Sequence, residues 1–367
     1  MKKLVLSAVV SASMVFAANA GDTVKIALAG PTTGPLTQYG DMMVAGSQVA
    51  VADINAKGGI NGKQVEVVVY DDACEPKQAV TVANKIINDG VRFVLGHLCS
   101  GATIPAAKIY DEEGVVMVTP AATSPELSKK GYQTIFRTIG RDDQTAPVAV
   151  DYIVKHFKGK KVAVLHDKQQ YGQGLAEGVK AGLEKADFPV AFYEGVNKGQ
   201  TDFSALVTKL KKDGIDFVYW GGYHPEFGKI VRQGADQGFA PQYMGSDGIA
   251  NADVFAIAGD AAKDILVTIP TDFSGKAENA DIVKAVKANK KDPNGPFVMP
   301  SYAAIQVIAD TANKLKTEDS EKIAEEIHKG EVYKTVIGDI SFQENGDLKA
   351  FPFAVYKMNK DGKELVK

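Results

Sequence analysis

The sequence predicts an α/β protein made of two Rossmann-like lobes with parallel-rich sheets. Short apolar, strand-like runs alternate with amphipathic helical stretches along most of the chain, the signature of βαβ units. That grammar runs once as far as Arg137-Thr138-Ile139-Gly140-Arg141 and then begins again. At 367 residues the chain also exceeds the size at which a single hydrophobic core usually stops growing, so two domains are expected.

Only the N-terminus departs from the alternation. Lys2 and Lys3 precede a largely apolar run from Leu4 to Ala18, and Ala18-Asn19-Ala20 fits a small-x-small cleavage pattern. Residues 1–20 therefore read as a signal peptide cleaved after Ala20. Its apolar part falls short of the roughly 20 residues that a membrane span needs, and no later run reaches that length, so the mature chain is expected to be soluble. The two cysteines lie far from the cleavage site, which argues against a lipid anchor. Removing 20 of 367 residues leaves 347, and losing two lysines moves the formal charge from −3 to −5. Mild acidity without a basic block disfavours nucleic acid and anionic lipid as partners.

Val24 to Gly30, Val65 to Tyr70, Arg92 to Gly96 and Val115 to Thr119 read as the first strands. Between them, Tyr39 to Lys57 sets Met43, Ala50 and Ile54 on one helical face and stops at Gly58-Gly59. Pro76 to Asp89 opens with a proline suited to a first turn, carries Val80, Ala83 and Ile87 at helical spacing, and ends at Gly90. In the second half a helix through Val150, Ile153 and Phe157 leads to the strand Lys161 to His166. Leu175, Val179 and Leu183 mark the next helix, Leu206 and Leu210 another, and Asp216 to Trp220 a further buried strand.

Cys74 and Cys99 are 25 positions apart in a chain bound for an oxidising compartment, so a structural disulfide is the leading reading over two free thiols. Two thiols without histidines at ligand spacing make no tetrahedral metal set. The sequence has no phosphate loop, no His-Glu-x-x-His helix and no Gly-x-Ser-x-Gly nucleophile turn. Gly172 to Gly178 approximates a dinucleotide loop, but its last spacing is one residue too long and it starts several residues after its strand, so no cofactor is expected. His97, His156, His166, His224 and His328 are scattered and read as structural. The pairs Asp71-Asp72 and Asp142-Asp143 would point to opposite faces of a strand and read as solvated loop ends or helix starts.

Gly34-Pro35-Leu36-Thr37-Gln38-Tyr39-Gly40, Ala52-Asp53-Ile54-Asn55-Ala56-Lys57-Gly58-Gly59-Ile60 and Tyr70-Asp71-Asp72-Ala73-Cys74 resemble blocks of the leucine/isoleucine/valine-binding proteins. Gly96-His97-Leu98-Cys99-Ser100, Thr119-Pro120-Ala121-Ala122-Thr123, His166-Asp167-Lys168-Gln169-Gln170-Tyr171-Gly172 and Gly221-Gly222-Tyr223-His224-Pro225-Glu226 continue the likeness in the same order. The resemblance implies a type I periplasmic binding protein fold whose lobes are joined by three hinge crossovers, near Thr138 to Arg141, Pro270 to Asp272 and Asn345 to Ala350. Lobe one is then 22–141 with 271–350, and lobe two 142–270 with 351–367. It further implies a monomeric periplasmic receptor without catalytic residues, which captures a branched-chain amino acid by hinge closure and delivers it to an ABC-type permease in the membrane.

The residues themselves fit that expectation. Ser100 precedes a helix-like stretch from Gly101 to Glu112, and Thr123 precedes Ser124-Pro125, which is expected to open another helix. Two converging helix N-termini would seat a carboxylate. Taken alone, Ser100 and Thr123 read first as helix caps. The resemblance instead assigns them the ligand's α-carboxylate, with Ala121, Ala122 and Thr123 lining the seat and Thr123 and the Ala121 carbonyl also near the ammonium. It places Asp247 against that ammonium, where relatives carry glutamate. Tyr39, Tyr171, Tyr223 and Phe297 match positions around the ligand, and such a wall suits an aliphatic side chain. Tyr39 is similar to the broader receptors, because leucine-specific relatives carry tryptophan there; Met299 replaces an aromatic. The competing readings are a sensory receptor module and a periplasmic enzyme acting on an amino acid or small amide.

Overall fold

The computed structural model describes residues 23–360 and 362–366, so the expected signal peptide and its cleavage site lie outside the described residues. The chain first lays down β1 (Val24–Gly30), α1 (Thr37–Ala56), β2 (Val65–Asp71), α2 (Pro76–Asn88), β3 (Phe93–Gly96), α3 (Ser100–Glu112), β4 (Val116–Thr119) and β5 (Ile135–Arg137). Their five strands form a wholly parallel sheet in the order β2-β1-β3-β4-β5. Central strands β3 and β4 are buried along their whole length, which is why they read as continuous apolar runs.

A second unit follows: α4 (Asp142–His156), β6 (Val162–His166), α5 (Gln170–Lys185), β7 (Val190–Gly195), α6 (Ser204–Lys212), β8 (Phe217–Gly221), α7 (His224–Asp236), β9 (Gln242–Ser246), α8 (Asp253–Ala258) and β10 (Ile265–Pro270). From there α9 (Ala280–Ala288), α10 (Val298–Leu315), α11 (Ser320–His328) and the hairpin of β11 (Tyr333–Thr335) and β12 (Gly338–Ile340) return to the first lobe. The chain ends in the second sheet with β13 (Phe353–Asn359) and β14 (Gly362–Leu365), giving the order β14-β13-β10-β9-β8-β6-β7. Strands β6 to β10 pair in parallel, and the last two are antiparallel additions at one edge.

The second sheet separates its side chains with the period of two expected of a strand. Val162, Val164, Phe217 and Tyr219 join one apolar core, while Ala163, Leu165, Val218 and Trp220 join the other. In the first lobe α10 docks on α1 so closely that a Cβ on Gly46 would stand 2.1 Å from the Val298 carbonyl oxygen. That contact brings Phe297, the residue before α10, beside Tyr39 of α1.

Two local expectations differ from the structure. The buried seam of α2 is Ala79, Val82, Ala83 and Ile86, so the stripe through Val80 and Ile87 is offset by one position and only half-buried. No α-helix opens at Ser124-Pro125; a single 3₁₀ turn, Ser128–Lys130, stands there and closes at Gly131 with φ of 70°. The Arg137 guanidinium takes the carbonyls of Ala122 and Ser124, acceptors that a helix would need, and the Ser128 hydroxyl as well. The expected pair of converging helix N-termini is thus reduced to one, that of α3.

Candidate functional site

The sequence-predicted residues all sit just beyond the carboxyl ends of parallel strands or on helices that flank them, the position where open α/β sheets bind ligands. In the first lobe the loop after β3 leads to Ser100, the first residue of α3, and the loop after β4 carries Ala121, Ala122 and Thr123. The second lobe supplies Tyr171 at the start of α5, Tyr223 just before α7, and Asp247 directly after β9. All of these, with Tyr39 and Phe297, are buried.

The loop after β4 is held from below. Thr119 Oγ1 donates to the His97 carbonyl and accepts from the backbone N–H groups of Ala121 and Ala122. His97 lies between Asp72, 2.6 Å away, and Tyr110, 3.0 Å away, and is structural. Ser100 Oγ accepts from the Ser124 N–H at 3.2 Å, and the Thr123 carbonyl accepts from the Asp142 N–H at 2.9 Å. Cys74 and Cys99 form a disulfide that ties the loop after β2 to the residue before α3.

From the other lobe, the Tyr171 hydroxyl donates to Asp247 Oδ1 and accepts from the Gly248 N–H. The Tyr171 and Tyr223 ring centroids are 5.1 Å apart. Tyr223 is aimed by its neighbour: Gly222 has φ of 149°, a Cβ there would collide with the Asp167 carboxylate, and that carboxylate accepts the Tyr223 N–H at 3.1 Å. Tyr39 bridges the two lobes, its ring 5.8 Å from Phe297 and 6.2 Å from Tyr223. An aromatic wall therefore runs from one lobe to the other.

Asp142 is the residue that sequence reasoning missed. It starts α4 at the first passage between the lobes and is buried, whereas Asp143 beside it is half-exposed and pairs with Arg141. Asp72 of the other pair is buried too; the second doublet does stand at a helix start, as one of the two expectations had it, but Asp142 is not solvated there. A doublet at a helix start that follows a crossover was the available signal. Its two members face different surroundings, as their opposite burial requires.

The electrostatics of this corner are unbalanced toward negative charge. Burial pushes the Asp247 carboxyl up to about 6 against the stabilising Tyr171 hydroxyl. Burial also raises Asp142 well above the usual carboxylate range, nearby Asp247 raises it further, and Thr123 and Arg137 oppose the shift. Asp142 Oδ2 and Thr123 Oγ1 are both buried without a hydrogen-bond partner of good geometry. Arg137 is already engaged, its Nε 2.6 Å from Asp347 Oδ1 in an ion contact whose N–H is misaligned for a hydrogen bond. Two buried carboxylates thus act on each other, and Arg137, which opposes the shift of Asp142, is itself engaged by Asp347.

Beside Tyr171 and Tyr223 a cleft of about 460 Å³ opens between the lobes, bordered by Cys74, Glu75, Cys99, Gly101 and Lys168. Lys198 of the second lobe pairs with Glu75 of the first at its mouth. A larger groove of about 580 Å³, lined by Gln38, Asn251, Asp272 and Lys363 among others, contains none of the predicted residues. Met299 faces Pro270, Thr271 and Phe273 in a separate crevice near the second passage between the lobes. Among the described residues, no helix is long and apolar enough to cross a membrane.

Two α/β lobes with polar groups and an aromatic wall converging at their facing strand ends define a two-lobed solute-binding protein. Residues 23–363 match the family model described as periplasmic binding protein, and the chain belongs to that family. It is 52% identical over 342 residues to the leucine-, isoleucine-, valine-, threonine- and alanine-binding protein of Pseudomonas aeruginosa, spanning 93% of this chain and 91% of that one. It is 48% identical over 341 residues to the Leu/Ile/Val-binding protein of Escherichia coli, covering 93% and 92% of the two chains. Among solved structures it superposes on the leucine binding protein LivK of Thermotoga maritima with a TM-score of 0.86, at 27% identity over 94% of this chain and 98% of the other. LivJ of Streptococcus pneumoniae, a branched-chain amino acid transporter substrate binding protein in complex with isoleucine, gives 0.83 at 28% identity over 94% and 99%.

Proposed function

We propose that this chain is a periplasmic receptor that captures branched-chain aliphatic L-amino acids, leucine, isoleucine and valine, between its lobes and delivers them to an ABC importer. The observation that carries the reading is the buried pair Asp142 and Asp247, each raised first by burial, beside a Thr123 hydroxyl that has no hydrogen-bond partner of good geometry. Such a corner is complementary to an ammonium group. The ligand carboxylate then lies toward Ser100, where the N-terminus of α3 offers backbone donors and partial positive charge. Tyr39, Tyr223 and Phe297 enclose the aliphatic side chain, and Ala121 and Ala122 form the floor. The names of the Pseudomonas and Escherichia relatives support the same ligand class.

In this reading the lobes are 22–141 with 271–350 and 142–270 with 351–367, the leader is removed after Ala20 in export to the periplasm, and the receptor works as a monomer. It is then a receptor and not an enzyme, in line with the names of its binding-protein relatives. The decisive experiment is calorimetric titration of the purified protein with each proteinogenic amino acid. Leucine, isoleucine and valine should bind at about micromolar strength or tighter, roughly −8 kcal/mol, and be recovered unchanged. Absence of heat and of any melting shift at millimolar concentrations would refute the proposal.

A further inference from the structure

Among the wall residues, Tyr39 has a hydroxyl that is fully engaged, and every partner belongs to the opposite lobe. Its Oη donates to the Gly248 carbonyl at 2.6 Å, contacts Asn251 Nδ2 and lies 3.1 Å from His224 Nδ1. Tyr39, His224 and Asn251 are 0%, 2% and 4% exposed. Proton counting assigns the roles. Tyr39 has one hydroxyl hydrogen, and Gly248 receives it. Asn251 Oδ1 accepts from the Asp253 N–H at 2.9 Å, which turns Nδ2 inward. Nδ2 then gives one hydrogen to Tyr39 Oη and the other to His224 Nδ1, 3.0 Å away. His224 is therefore neutral, with its hydrogen on Nε2, which stands 3.6 Å from the Asp253 carboxylate.

We propose that Asn251, itself held by His224, is a positioning residue that clamps the Tyr39 hydroxyl when the lobes meet, making Tyr39 both the wall for the ligand side chain and the catch that retains it. The clamp exists only with the lobes together, because Tyr39 stands on α1 and its partners Gly248 and Asn251 on the second lobe. Apart, the same hydroxyl is hydrated. Because its hydrogen is committed to Gly248, Tyr39 presents the ligand with a ring and no free donor, which favours an aliphatic over a hydroxylated side chain. The inference rests on the reading of the cleft as an amino-acid site.

The test compares the parent protein with Tyr39→Phe, Asn251→Leu and the double variant, measuring leucine association, leucine dissociation and ligand-free melting. Each single variant should release leucine about tenfold faster, as expected for roughly one lost hydrogen bond, with association changed by less than about twofold. The double variant should release it no faster than the worse single one, because both act through one contact. Ligand-free melting should move by no more than about 2 °C, whereas a purely structural role would lower it as much as that of the loaded form. Multiplicative effects in the double variant, unchanged release from Tyr39→Phe, or an equal fall in ligand-free melting would each overturn the clamp while leaving the binding site standing. Failure of the parent to bind any amino acid would overturn both.

Discussion

The Tyr171 hydroxyl donates to the Asp247 carboxylate inside the cleft, and neither group is exposed by more than 4%. This bond holds the carboxylate in one orientation and favours its ionised form against burial. Tyr171→Phe removes the bond and keeps the ring. Leucine affinity should fall by about 1.5–3 kcal/mol, the range for hydrogen bonds to charged groups. Titration calorimetry at pH 7 checks it, and an unchanged affinity would show that the bond plays no part in binding.

The pH dependence follows from the same carboxylates. Asp247 has its folded pKa raised to about 6 and Asp142 is raised well above its ordinary value, in both cases first by burial. A bound ammonium favours the ionised forms, so affinity should fall as pH drops below about 6, and binding near pH 6 should release protons. Stability of the ligand-free protein runs the opposite way. The folded state binds more protons than the unfolded chain between pH 4 and 6, so these groups destabilise it as pH rises through that window, Asp247 by about 3 kcal/mol at most. Titration in buffers of different ionisation enthalpy, with melting curves from about pH 4 to 8, measures both signs.

Arg137 ties the first passage between the lobes to the third. Besides its contact with Asp347, it donates to the Ala122 and Ser124 carbonyls, and Arg141 reaches the same Asp347 at 2.7 Å. Arg137→Met would leave buried Asp347 with only part of its guanidinium pairing, through Arg141, and take a donor from the Ala122 and Ser124 carbonyls. Unfolding stability should drop by about 3–5 kcal/mol, the cost of breaking a buried pair from one side. Denaturant melts test this; a loss below about 1 kcal/mol would mean that water replaces the guanidinium.

Reduction of the Cys74–Cys99 bridge, whose ends are 25 positions apart, should cost about 3 kcal/mol of stability in the chain-entropy picture. Both cysteines border the cleft beside Gly101, so leucine affinity should weaken along with stability. Calorimetry on the oxidised and on the reduced, alkylated protein separates the two effects. Equal affinity in both forms would confine the bridge to a stabilising role.

Much of the architecture was legible because parallel strands buried on both faces leave continuous apolar runs, as in Val162 to Leu165. Crossover helices announce themselves through Pro76 and Gly90. The exact face of α2 was not legible: Val80, Ala83 and Ile87 satisfy helical spacing, yet the buried residues are Ala79, Val82, Ala83 and Ile86. Small alanines can pack against a neighbour without standing out as apolar. At Ser124-Pro125 local propensity favoured a helix, and a guanidinium distant in sequence captured its carbonyls. The site emerged as a set of motifs in register, and its geometry brings Tyr39, Tyr171, Tyr223, Phe297, Thr123 and Asp247 into one constellation. Asp142 stayed hidden because an acidic residue at a helix start is ordinarily explained by the helix dipole and solvent.

Asp142 offers the sharpest discrimination between a residue kept for folding and one kept for a ligand. Its Oδ2 is buried without a hydrogen-bond partner of good geometry, Asp247 raises its pKa further, and Arg137, which opposes that shift, is shared with Asp347. In the ligand-free protein such a carboxyl destabilises the fold, whether it ionises against burial or takes up a proton to avoid ionising. Asp142→Asn has nearly the same shape and keeps an oxygen acceptor, so it should stabilise the ligand-free protein by about 1–3 kcal/mol. The same change removes a charge opposite the proposed ammonium site, so leucine affinity should fall by about 2–5 kcal/mol, mostly through faster release. Opposite signs in one variant are the mark of a charge retained for binding at a cost in stability. A more stable protein with undiminished affinity would remove Asp142 from the site and leave the ammonium to Asp247 alone, and a less stable one would show that Asp142 holds the start of α4 in place.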